Sequence, residues 1–277
     1  MLLLLFRTII STPHGLAAAS EYSVYCNKEA KGTAEWNGEF EEYRASVHLD
    51  GEFSLAFVEK MNGACRARFV GLTCFSTACE APLRWGEVVP IHFVERAFQR
   101  SQQRRQMPMF CVLCLPTKRV DAAVEMIPEL DDISAPMLDL FQTASRRIVL
   151  LLSADLAHTH EISGPARLWV DKPYGSHDSS ANFDAACEKW LSHGSSCCDE
   201  HALLVECASL YRTALSCGFT GLLLLHFLVK RFNAQQQDHR KKFVSSLLAN
   251  KHPTYYGQMV AAFLLPEEEK WMAGKKI

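Results

Sequence analysis

No stretch of this 277-residue chain approaches the ~20 consecutive apolar residues of a membrane span. Nor is there an excess of one charge. The 29 basic residues stand against 31 acidic ones, which excludes a nucleic-acid reader working through a clustered basic face. A Gly-x-Ser-x-Gly elbow is missing too, so Ser153, Asp155 and His158 do not read as a hydrolase trio despite lying close in sequence. The eleven cysteines are odd in number and lack framework spacing, which points to a reducing compartment rather than a disulfide scaffold, and the missing targeting signals point to a cytoplasmic one. What remains is an ordinary globular balance, 48% hydrophobic and 22% charged, and it removes disorder as the default reading.

The start, Met1 to Phe6, has the apolar character of a short signal segment, but no basic residues precede it and Arg7 interrupts it. The rival reading is a buried parallel strand, Leu2 to Ser11, ending in the turn Thr12-Pro13-His14-Gly15. Arg68–Leu72, Met109–Leu115 and Arg147–Ser153 are further continuous apolar runs, which suit parallel strands covered on both faces. Between them lie segments of helical period. Phe53, Phe57 and Met61 share one face, and Met137, Leu138 and Phe141 another. Asn182–Leu191, His201–Ser216 and Gly221–Phe232 continue the helical pattern, while Gln99–Gln106 and Asn233–Lys242 read as solvated connections. Cys74, Cys111, Cys114 and Cys217 sit in apolar runs as small hydrophobes, and Cys197-Cys198 lies in a Ser-rich loop. The alternation predicts an α/β fold: one domain over 1–277 with a mostly parallel central sheet flanked by helices.

In such a sheet, ligands bind beyond the carboxyl ends of the strands. Two runs end there in histidines: the first at His14, the second at Asp155-Leu-Ala-His158-Thr-His160. Imidazole at that edge ligates metals or moves protons near neutral pH, and Asp155 lies close enough to orient a histidine. Three titratable groups directly after a core strand make the second cluster the stronger candidate. Tyr255-Tyr256 reads mainly as packing, and His252 as an exposed loop residue.

Taken in order, Thr12–Gly15, Pro82–Pro90, Ser153–His160, Gly164-Pro165, Pro173–Gly175, Phe183-Asp184, Ser216–Gly218 and Pro253–Gly257 resemble the catalytic LigB-type subunit of class III extradiol ring-cleavage dioxygenases. The resemblance spans nearly the whole chain. It implies a non-haem Fe(II) centre, held by two histidines and a carboxylate, that opens a catecholic ring with O2. His14 matches a metal ligand. His158 matches the acid–base histidine, with Asp155 and His160 as catalytic-pocket groups supporting it. Zinc is the alternative ion, with His158 and His252 drawn toward it. The implied partners are a small aromatic diol and dioxygen, with neither nucleic acid nor membrane; a homo-oligomer is left open.

Three departures bear on this. The family's first metal histidine lies several tens of residues ahead of its Pro-His-Gly turn, and here thirteen residues precede His14. Near Ser216–Gly221, where the family carries a glutamate, this chain has Ser216 and Thr220, with Glu206 ten positions earlier. Trp85-Gly86-Glu87 also occupies a stretch that bears a histidine in many relatives. The expectation is therefore either an N-terminally incomplete enzyme or a degenerate homologue that binds a small molecule or protein partner in the former cleft without catalysis.

Overall fold

The computed structural model describes residues 6–12, 21–35, 42–73, 80–100, 107–116, 122–145, 147–162, 174–191 and 199–268. His14 and its Pro-His-Gly turn lie outside them, as do Cys74, residues 101–106, Gly164-Pro165, Pro173, Cys197-Cys198 and the terminal lysines. The chain is α/β and divides into two compact units, Met1–Ala123 with Ala135–Ala154, and Val124–Ser134 with Asp155–Ile277. Among the described residues, no helix is long and apolar enough to cross a membrane.

The first unit is built on a five-stranded sheet. Strand β1 (Phe6–Thr12) lies parallel between β7 (Met109–Cys114) and β8 (Arg147–Leu152). Beyond β7 come β2 (Tyr22–Tyr25), antiparallel to it, and β5 (Phe69–Leu72), parallel to β2. The expected mostly parallel sheet is thus mixed. Only residues 13–21 separate β1 from β2, short of the dozen or more that a parallel crossover takes, so the chain returns in the opposite sense. Moreover, β8 is an edge strand with Val149 exposed, rather than a run covered on both faces. On β7, Cys111 and Cys114 are both buried, as their apolar run predicts, and a spacing of three sends them to opposite faces of the strand. Every cysteine among the described residues is free.

A smaller sheet was not foreseen: β3 (Glu29–Glu35) pairs antiparallel with β4 (Glu42–His48) and parallel with β6 (Glu80–Pro82). Its inward positions Ala30, Ala34, Ala45 and Val47 join a core with Val88, Ile91, Phe110 and Val112. Helix α1 (Gly51–Ala64) starts where Asp50 accepts the Phe53 N–H at 3.0 Å, and it buries Phe53, Phe57 and Met61 as their spacing predicts. Helix α2 (Trp85–Arg100) carries Pro90, which has no N–H for the carbonyl of Gly86. The Ser153 hydroxyl, just past β8, donates to that carbonyl at 2.5 Å.

After α3 (Ile127–Thr143), the second unit carries α4 (Ser179–Leu191), a π-helical segment (Ala202–Cys207) leading into α5 (Ala208–Ala214), and α6 (Phe219–Gln235), which surround Phe183, Trp190 and Phe219, all fully buried. The buried Trp190 indole N–H donates to His226 Nδ1 at 3.2 Å. Burial lowers the pKa of His226, which keeps the imidazole neutral as an acceptor. A hairpin, β9 (Val244–Lys251) and β10 (Gln258–Leu264), completes the unit. Helix α6 runs on past the expected end at Phe232, and Asn233 is buried rather than part of a solvated connection. Its amide pairs both ways with the backbone of Phe243, accepting N–H at 2.7 Å and donating to C=O at 3.0 Å. Removing it leaves two backbone groups unpaired, so Asn233→Ala should cost about 2 kcal/mol, read as a lower urea midpoint at unchanged slope.

Candidate metal centre

The loop after β8 is tied on two sides within the second unit. On one side, Leu156 N–H donates to Gly257 C=O (2.8 Å), Gly257 N–H to Ala157 C=O (2.7 Å) and His160 N–H to Tyr255 C=O (3.2 Å). On the other, His158 N–H donates to Ala214 C=O (2.7 Å) and Gly218 N–H to Asp155 C=O (2.9 Å). Between Ala214 and Gly218 the chain turns sharply at Leu215, a non-glycine residue at φ +54°. A bulky side chain in the left-handed region is a strained choice, of order 1 kcal/mol, held by the surrounding fold. The turn sets Cys217 against Asp155.

Ligand atoms of Asp155, His158 and Cys217 all lie within 4.8 Å of one another. His158 Nε2 stands 3.8 Å from Asp155 Oδ2, with the two side chains 11% and 13% exposed. Asp155 Oδ2 is buried and makes no hydrogen bond among the described residues. Burial pushes the Asp155 carboxyl up to about 6. The Cys217 sulfur accepts from Asp155 N–H at 3.4 Å and its thiol donates to Asp155 C=O at 3.7 Å. Burial, and then the neighbouring Asp155, raise that thiol to about 12. A cation between these groups would favour their ionised forms and release the thiol proton.

The donor set fits a transition metal. Bonds of ~2.0–2.3 Å to imidazole, carboxylate and thiolate need only a small contraction of the cluster, and a buried carboxylate oxygen without a hydrogen bond is the kind of atom an ion would satisfy. It departs from two histidines and one carboxylate: among the described residues the third donor is a thiol.

Of the predicted residues, Asp155 and His158 come together and His160 does not join them. His160 Nε2 faces Asp184 Oδ2 at 2.7 Å, both side chains being buried, and its ring stacks on His252 at 4.3 Å. The other Asp184 oxygen accepts Ala157 N–H at 3.1 Å, so this pair clamps the loop that carries His158. Glu206 is spent on Lys189 and His201. The apolar run around Cys217 reads as small-hydrophobe packing in sequence; the turn at Leu215 is what brings its sulfur to Asp155.

Aromatic rings flank His158. Tyr256 meets it edge-on at 4.7 Å, and the exposed Tyr174 lies at 6.1 Å with its plane 27° away. No protein-family model matches this chain, and no curated protein matches it.

Proposed function

We propose that Asp155, His158 and Cys217 hold a divalent transition metal, iron in first place, in an extradiol dioxygenase that opens a catecholic ring with O2. The observation carrying the metal is the convergence of three ligand atoms within 4.8 Å. The reaction class rests on the resemblance, and the aromatic walls beside His158 suit a planar ring. Bound there, iron would supply open coordination positions for the diol and for dioxygen. The chain's own part is to hold the ion and to manage the phenolic proton. His158 is a ligand in this reading; were it not on the ion, its imidazole would be the group beside the cluster for that second task.

The test is metal stoichiometry after anaerobic Fe(II) loading, followed by oxygen uptake with a catechol panel. Wild type should take up about one ion per chain, and His158→Ala and Cys217→Ser should each bind it at least tenfold more weakly. Full metal content in His158→Ala with no turnover would move His158 from the ion to proton transfer. No uptake by the wild type would sink the centre.

A second reading follows from the thiol. Cysteine suits zinc as well as iron, and its presence in place of a second imidazole favours a homologue that binds in the former cleft without ring cleavage. Stoichiometric metal with no oxygen uptake on any catechol would select it.

A further inference from the structure

The bend Pro253–Gly257 does something an extended chain would not. Successive residues of a strand point to opposite faces, yet the Tyr255 and Tyr256 rings lie 4.1 Å apart. The buried Tyr255 hydroxyl donates to the Tyr256 hydroxyl at 2.7 Å. A phenol carries one proton and accepts through its lone pairs. With its oxygen already accepting from Tyr255, Tyr256 keeps its own proton to give, and no acceptor takes it among the described residues. The ring that bears this donor sits edge-on to His158. The bend itself is pinned: Tyr256 N–H donates to Thr254 Oγ1 at 3.3 Å, and Gly257 pairs on both sides with the loop carrying Asp155 and His158.

We propose that Tyr256 is the hydrogen-bond donor of this centre, giving its phenolic proton to an anionic diol oxygen bound beside His158, with Tyr255 as the positioning residue that fixes its direction. This rests on the metal-and-diol reading above and adds to it a residue that orients the ligand. A donor of this kind favours a mono-ionised diol over a neutral phenol or a simple aromatic ring, because hydrogen bonds to charged oxygen are the stronger ones.

The experiment is anaerobic titration of the iron-loaded protein with 4-nitrocatechol, whose visible band reports ionisation of the bound diol. Iron content and melting temperature are measured on each variant. Tyr256→Phe should bind roughly tenfold more weakly with a shifted band, and Tyr255→Phe about threefold more weakly, with iron content unchanged in both. Should Tyr256→Phe lose its fold, Tyr255→Phe carries the test, and binding equal to wild type overturns the inference. Equal binding by a folded Tyr256→Phe overturns the donor role while leaving the centre intact. Wild type that takes iron but not 4-nitrocatechol overturns the diol reading and this inference with it; wild type that takes no iron overturns the centre itself.

Discussion

Gly257→Ala is expected to destabilise the protein by about 3–5 kcal/mol and to abolish iron uptake at the proposed centre, although residue 257 is not among its ligands. A Cβ built on Gly257 would stand 2.0 Å from Asp184 Oδ2 and 2.7 Å from both Cγ and Oδ1. A flexible side chain could swing away at little cost, but Asp184 cannot. It is buried, and its two oxygens are engaged by Ala157 N–H and by His160. Any movement that clears the methyl group breaks at least one of these bonds and leaves a buried imidazole or carboxylate without its partner. The backbone has no freedom either, since Gly257 N–H and C=O are both tied to residues 156 and 157. The strain therefore enters the loop between Asp155 and His158. Chemical denaturation and iron content read the two effects. The mechanism has a further signature: in an Asp184→Ala background the clash is gone, and Gly257→Ala should then cost under about 1 kcal/mol more. A full additional loss in that background would show that the glycine matters for some other reason.

The parts of this architecture that were legible in the sequence are those where the physics is local. Met109–Leu115 and Arg68–Leu72 are continuous apolar runs and fold as β7 and β5. Phe53, Phe57 and Met61 repeat at helical spacing and lie buried on α1. By contrast, β3 and β4 hid their alternation because three of their inward positions are alanine, whose small side chain gives little contrast with the polar residues between. Helix α2 was masked by Pro90, and its tolerance of that proline involves Ser153, sixty-seven residues from Gly86, which no local reading reaches. The site divides in the same way. Asp155 and His158 were visible because they follow one strand within one loop, whereas Cys217 joins them only through the left-handed turn at Leu215. For His160, proximity in sequence does not fix direction, and the Asp184 carboxylate decides where its ring faces.

In the first unit, Glu87→Gln should stabilise the protein by about 3 kcal/mol at pH 8 and leave it nearly unchanged at pH 4. Glu87 lies in the first turn of α2, and one oxygen accepts the Arg84 N–H at 2.9 Å, half of a capping box. The other oxygen is buried and makes no hydrogen bond among the described residues. Two effects oppose each other. The helix N-terminus and the backbone N–H groups favour the carboxylate, by about 1 kcal/mol in typical cases. Burial disfavours it, and burial wins: the residue is 0% exposed and the carboxyl rises from 4.5 to about 7. The native state therefore holds this proton more tightly than the unfolded chain does. The resulting stability is complete below about pH 4.5 and is lost as pH climbs toward 7. Glutamine keeps the oxygen that caps Arg84 and carries no charge to bury, so the variant escapes that loss. Urea unfolding at pH 4, 6 and 8 should show the two proteins diverging steadily as pH rises. Parallel curves would mean that Glu87 ionises in the fold as freely as in water, and that its second oxygen meets solvent or a cation.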